Sequence, residues 1–281
     1  SFVMGAGHEL TYSLTAIAIN AADAGSSAKQ FAESLRTTVE NANGGGSTMA
    51  LGGANKADYT LRTSMIGINN TVTGVKGGES KDNLAMGVGN TATKVQHMTA
   101  IGSQNTVSDA TDTIIVGDNR TVTGANNTVT IGSSDAGTTT TVNEAVAIGH
   151  NTEVTAEGGV ALGSESKTTV AAGVQGYNPA SDRTDKYSTQ AGAVGTSTLA
   201  AVSIGEGVTK TRQLTGLAAG TEDTDAVNVA QLKNVNLKYA GDTGNSDVLL
   251  KDHTLNINGD TDTFISTSAD ANGVKITAKV A

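Results

Sequence analysis

The chain has 281 residues, a net charge of −9 from 27 acidic and 18 basic side chains, and no Cys or Trp. Gly (35), Ala, Ser and Thr dominate, and aromatic residues make up 3%. This excludes a large spherical core, which needs bulky apolar side chains, phosphate-neutralising basic patches for nucleic acid, and any disulfide or thiolate framework. A charged fraction of 16% and a single Pro also speak against plain disorder. The expectation is an elongated, repetitive β structure with a thin core.

Residues 1–46 read as an N-terminal cap. Ala24, Ala28, Phe31, Ala32, Leu35 and Val39 recur at spacings of three and four, which predicts one amphipathic helix between Asp23 and Asn43. Gly44-Gly45-Gly46 would end it. The apolar run 14–22 is too short to span a bilayer, and no charged leader with a cleavage site precedes it.

From residue 47 the chain repeats. A tetrad of any residue, a small residue, an aliphatic and Gly recurs as Met49-Ala50-Leu51-Gly52, Ser64-Met65-Ile66-Gly67, Leu84-Ala85-Met86-Gly87 and Thr99-Ala100-Ile101-Gly102. It continues through Gly117, Gly132, Gly149, Gly163 and Gly205. From Gly52 to Gly163 the intervals are 15, 20, 15, 15, 15, 17 and 14 residues. A second short alternating segment follows each Gly, as in Asn70-Thr71-Val72 and Asn105-Thr106-Val107. Two strands of about five residues per coil, with Gly and Asn at turns of positive φ, fit this period. Inward Val, Ile and Leu are expected to alternate with outward Thr, Ser and Asn. A sandwich with variable hairpins would not hold a fixed period. Coils this small leave apolar positions in need of a partner, so self-association about an axis belongs to the fold.

The period fails between Gly163 and Gly205, and residues 171–201 read as an irregular insert holding Pro179, Tyr177 and Tyr187. Tyr177, Asn178, Arg183 and Tyr187 are the candidate receptor contacts, because loops on rigid scaffolds carry recognition. A piece that closes the open end of the roll is the alternative. Exposed Thr and Asn rows of the roll compete as a contact surface.

Residues 211–234 follow, with Arg212-Gln213, an apolar stretch, Gly220-Thr221 and then Asp225-Ala226-Val227-Asn228-Val229-Ala230-Gln231-Leu232. This pattern resembles the neck of trimeric autotransporter adhesins, and the preceding tetrads resemble the head of the same family. Head and neck cover roughly residues 47–234. The resemblance implies a homotrimeric, left-handed parallel β-roll of 14–15-residue coils (47–210), a short neck (211–234) and a small β-rich module (235–281). Arg212, Asp225, Val229 and Leu232 carry over as structural neck positions. From the residues themselves, Asp225 or Thr224 is expected to cap a helix of about nine residues, which needs neighbouring chains to hold it. Beyond the neck, strands are predicted around 248–250, 254–257 and 274–277, with turns at 241–244 and 258–260.

Enzyme chemistry finds no support in the residues. His8, His97, His150 and His253 are scattered, and none has metal-ligand spacing. Gly5-Ala6-Gly7 and Gly87-Val88-Gly89 begin a dinucleotide fingerprint without completing it. The acidic runs 222–225 and 260–262 lack a calcium-loop signature. The alternatives are a trimeric phage-type fibre or receptor-binding spike, over which the 225–232 neck pattern favours an adhesin, and a trimeric left-handed β-helix acyltransferase, whose coils would have 18 residues. No cofactor, metal, nucleic-acid or membrane contact is expected of this segment. The resemblance implies a bacterial surface adhesin, anchored in the outer membrane through a C-terminal segment absent here. It would bind host cells or matrix; partners in the family include collagen-like and fibronectin-type proteins and carcinoembryonic-antigen-related receptors.

Overall fold

The computed structural model describes residues 1–13, 27–41, 47–135, 137–176, 195–241, 244–249, 253–259, 264–270 and 273–278. The chain divides into two compact units between Gln213 and Leu214.

The first unit is a stack of short coils. One ten-stranded sheet joins the tetrads in parallel, from Phe2–Ala6 and Met49–Gly53 at one edge to Val160–Leu162 and Val202–Ser203 at the other. A second parallel sheet runs beside it through Glu9–Thr11, Lys56–Asp58, Thr71–Thr73, Thr91–Gln96, Thr106–Thr111, Thr121–Thr123 and Thr139–Thr140. Glu153–Val154 and Lys167–Thr168 form a separate parallel pair. At about 4.8 Å per strand, the ten-stranded ladder spans roughly 43 Å.

The roll starts earlier than the sequence pattern placed it. Phe2-Val3-Met4-Gly5 is itself a tetrad, in register with Met49 through Gly52. Residues 1–13 are therefore a coil and not a cap. The interval of 47 residues between Gly5 and Gly52 hides the repeat, because the chain leaves the stack after Ser13 and returns at Ser47. In that excursion lies helix α1 (Ala28–Asn41). Ser27 and Gln30 begin it, with the Gln30 amide donating to Ser27 Oγ at 3.3 Å and Gln30 Oε1 accepting from the Ser27 amide at 3.0 Å. Phe31 is half-buried and Leu35 exposed, so the apolar stripe does not seal the roll's end. Residues 23–26 and 42–43, also expected in the helix, lie outside the described residues.

Buried hydroxyls close the gap where the excursion departs. Ser13, Thr48 and Thr60 are inaccessible. The Thr60 hydroxyl donates to Ser13 Oγ at 2.9 Å, and the Thr48 hydroxyl donates to the Ser13 carbonyl at 3.3 Å.

The alternation within the tetrad is the reverse of the expected one. The inward row of the ten-stranded sheet is Ala50, Met65, Ala85, Ala100, Ile115, Thr130, Ala147 and Ala161, all buried. Leu51, Ile66, Met86, Ile101, Val116, Ile131, Ile148 and Leu162 point outward, and none is buried. The interior of a coil of about 15 residues is too narrow for a full row of large aliphatics, so small residues take it. In the second sheet the usual order holds. Ala57, Val72, Ala92, Val107 and Val122 face in, and Thr71, Thr73, Thr91, Thr93, Thr121 and Thr123 face out.

The repeat glycines answer two demands at once. Gly87 has φ 128°, and a Cβ there would lie 1.8 Å from the Gly102 carbonyl oxygen. The same approach recurs from Gly5 to Gly52, Gly52 to Gly67, Gly67 to Gly87 and Gly102 to Gly117. Beside this column runs a buried Asn ladder. Asn70, Asn90 and Asn105 each donate Nδ2 to the Oδ1 of the Asn one coil earlier, at 3.1, 2.9 and 2.9 Å. Nδ2 of Asn55, Asn70, Asn90 and Asn105 also bonds the repeat-glycine carbonyl of the next coil, at 2.8–3.0 Å. These Asn were expected at the turns; the positive φ belongs to the preceding residues Asn69 and Gln104.

The ladder ends at Arg120, which is 2% exposed. The interval of 17 residues between Gly132 and Gly149 displaces the next rung, and the guanidinium spans the gap. Its Nε donates to the Gly132 carbonyl, Nη2 to that of Gly149 and Nη1 to that of Thr152, each at 2.7 Å. Burial pulls the Arg120 pKa down.

The second unit contains two antiparallel hairpins, Asn236–Ala240 with Asn245–Leu249 and Ile265–Asp270 with Gly273–Ala278. Both agree with the expected β content. Residues 254–257, expected as a strand, have no ladder partner among the described residues; the Ile257 carbonyl instead accepts from the Thr267 hydroxyl at 2.7 Å.

Candidate functional site

The expected contact residues Tyr177, Asn178, Arg183 and Tyr187 all lie in 177–194, outside the described residues. Their surroundings are informative. The flanks 170–176 and 195–201 run antiparallel, with the Gly176 amide donating to the Gly195 carbonyl and the Gly173 amide to that of Ser197, each at 2.7 Å. Val202–Ser203 then rejoins the sheet against Val160–Leu162. The described flanks thus lie between two strands stacked on each other in the ten-stranded sheet.

The neck positions occupy separate places. Arg212 folds onto the last coil of the roll. Its Nη1 donates to Ser166 Oγ at 3.0 Å and also to the Ile204 carbonyl, while Nη2 donates to the Ser164 carbonyl. It ends the roll much as Arg120 bridges its middle. Asp225 does not cap the helix. Its Oδ2 accepts from the amides of Thr221 at 2.9 Å and Glu222 at 3.1 Å, which hold its carboxyl below the usual range.

Helix α2 is Val229–Lys233, five residues where about nine were expected. Its cap is Asn228, paired with Gln231 in a reciprocal capping box. The Asn228-x-x-Gln231 spacing is the sequence signal for this cap. Gln231 also grips the approach segment, bonding the amide and carbonyl of Gly220 at 3.2 and 3.1 Å. Asn228 Nδ2 reaches the Leu217 carbonyl at 3.1 Å. Val229 and Leu232 are exposed, as are Leu214, Val227 and Val235.

Charged groups line the corners of the roll. Arg62 clamps Asp82 through Nε at 2.5 Å and Nη2 at 2.7 Å, and His97 Nδ1 lies 3.0 Å from Asp112 Oδ1. His150 Nε2 lies 3.1 Å from Asp135 Oδ2 on a half-exposed corner. His8 stands at the ladder position of the first coil, accepting from the Asn55 amide at Nδ1. Among the described residues, no three His, Asp or Glu side chains are grouped to hold a metal. No described helix is long and apolar enough to cross a membrane.

Residues 213–255 match the family model for the coiled stalk of trimeric autotransporter adhesin. The chain is also similar to the autotransporter adhesin BadA of Bartonella henselae, with 54% identity over 77 residues. Over these stretches the chain is similar to trimeric autotransporter adhesins. The match to BadA covers 26% of this chain and 2% of that much longer relative. Within the stretch matched as stalk, the described helix is the five-residue α2, followed by a β-hairpin.

Proposed function

We propose that the chain is the head, neck and following β module of a homotrimeric adhesin. It would project from a Gram-negative outer membrane and attach the cell to host receptors or matrix. The observation that carries this reading is the outward apolar row of the ten-stranded sheet. A solvated sheet face keeps polar residues outward, whereas eight coils from Leu51 to Leu162 present Leu, Ile, Met or Val there. Burying such rows against two further copies would complete the thin core, with a left-handed roll as its geometry. The exposed Val229 and Leu232 of the neck then pack against neighbouring chains.

In this trimer the hydroxyl-bearing second sheet would face outward in three copies. Weak single contacts add through multivalency by up to about 10²–10⁴ in avidity. The contact residues proposed are Tyr177, Asn178, Arg183 and Tyr187, and the partner is a matrix protein such as collagen or fibronectin, or a carcinoembryonic-antigen-related receptor. The test is binding of the purified trimer to epithelial cells before and after protease shaving. Saturable binding lost on shaving is expected; absence of binding by an intact trimer would overturn the assignment. Replacing Tyr177 and Tyr187 by Ser should weaken binding without altering assembly, and unchanged binding would remove the insert from the contact surface.

A further inference from the structure

An aromatic pair stands on the first two coils, at a corner where the later coils carry none. The Tyr12 and Tyr59 rings stack with centroids 4.5 Å apart and planes 14° from parallel. Tyr12 is 70% exposed. Both have left-handed backbone, at φ 45° and 51°. For a bulky side chain that conformation is unfavourable and is retained only where the surroundings impose it. The same corner one to four coils on holds Gly74, Lys94, Asp109 and Gly124, the last three also left-handed, so the corner itself sets the backbone whatever side chain stands there. The fold therefore does not ask for tyrosine here.

The rings' neighbours are hydrogen-bonding groups. Asp58 sits on the outer row of the second sheet between Thr11 and Thr73. Its Oδ1 is shielded from solvent and accepts no hydrogen bond from the described residues. Burial, Tyr12 and Asp58 together raise the Tyr59 hydroxyl pKa. A small projection with a bridge between Val75 and Gly78 springs from the next coil, where the Gly74 amide bonds the Asp58 carbonyl and the Ser80 amide bonds that of Tyr59.

From this arrangement we infer that Tyr12 and Tyr59 form a ledge that binds a neutral sugar ring of a glycan, beside the Thr11, Asp58 and Thr73 side chains. An exposed tyrosine face offers an apolar platform with a polar edge, which suits the C–H face of a pyranose, while the flanking threonine hydroxyls suit its hydroxyl groups. An anionic sugar would need a cation: Lys56 is held by Glu9 at 3.1 Å, and Lys76 on the neighbouring projection is what the sialylated and sulfated arms of the test address. An ammonium group would favour open carboxylates. Glu9 is engaged by Lys56, Glu79 bonds the Gly77 amide at 3.1 Å, and Asp58 Oδ1 is shielded.

The ledge goes beyond the adhesin reading and does not depend on the insert. The test applies the assembled protein to a printed array of neutral, sialylated and sulfated oligosaccharides, alongside Tyr12→Asn and Tyr59→Asn. Asn tolerates positive φ, so neither change should lower the melting temperature. Neutral glycans should bind, a free methyl glycoside of the bound sugar should compete, and each substitution should weaken binding about tenfold or more. Binding only to anionic glycans, displacement by tetramethylammonium alone, or full retention by the Asn variants would overturn the proposal. Cell attachment that survives both substitutions, with no array binding, would remove the ledge and leave the adhesin reading standing.

Discussion

At the scale of single residues, the roll depends on side chains that are absent as much as on those present. Coil spacing is set where repeat glycines meet, and the Gly87–Gly102 approach leaves no room for a methyl group. Gly87→Ala should therefore destabilise the fold by about 3 kcal/mol or more, combining positive φ with a steric conflict against backbone. Gly124, also at positive φ but with open space around it, is the control. Gly124→Ala should cost about 1 kcal/mol, the backbone term alone. Denaturant midpoints of the two variants measure the difference, and equal losses would show that the close approach is not what selects Gly. The Asn ladder works in the opposite sense. Its amides are buried, yet both hydrogen-bonding ends are used, so the polar column joins coils without leaving the unsatisfied groups that make burial costly.

At the scale of elements, the corners stack charges over one another. Arg62, Asp82, His97 and Asp112 share left-handed backbone, and Asp82 lies between Arg62 and His97. The Arg62 hydrogen bonds hold the Asp82 carboxyl below its usual value of 3.8. A carboxyl depressed in the folded state stabilises above its unfolded pKa, and that contribution is lost as pH falls through the folded value. The loss therefore lies below about pH 4. The pair is partly exposed, so the effect should be modest and should shrink in salt. Melting temperature followed from pH 5 to 2 should fall less steeply in Asp82→Asn than in the parent; identical curves would show that the clamp adds nothing to stability.

These elements also mark what the sequence made legible. Glycine and aliphatic positions recur at fixed spacing, so strands, coils and insert could be read directly. The direction of alternation could not, because period two is the same whichever row faces in, and only the narrowness of the coil decides it. The first coil escaped because its partner tetrad lies 47 residues away, beyond any local period. The neck cap was misplaced because four acidic or hydroxyl residues compete for the role, and Asp225 satisfies loop amides instead. The Tyr12–Tyr59 pair gave no signal, since stacking joins residues separated by the α1 excursion.

At the scale of the whole molecule, the two faces of the roll make different demands on their surroundings. Each half-exposed aliphatic on the ten-stranded sheet gains from removal of its apolar surface from water, at about 25 cal/mol per Å². The gain recurs coil after coil, so in the proposed trimer the face would act as one surface that further copies complete. Lys at its centre would place a charge from every protomer near the axis, where desolvation opposes assembly. Ile101→Lys, and Met86→Lys one coil earlier, should each shift the light-scattering mass from about three times 28.1 kDa toward that of one chain. The β-sheet circular dichroism of the chain should be retained, because neither substitution touches the inward row of Ala85 and Ala100. Thr106→Lys on the second sheet serves as the matched control and should leave the mass unchanged. If both face variants remain trimeric, the apolar rows are not the assembly surface; dissociation by Thr106→Lys instead would place the axis on the opposite side of the coil.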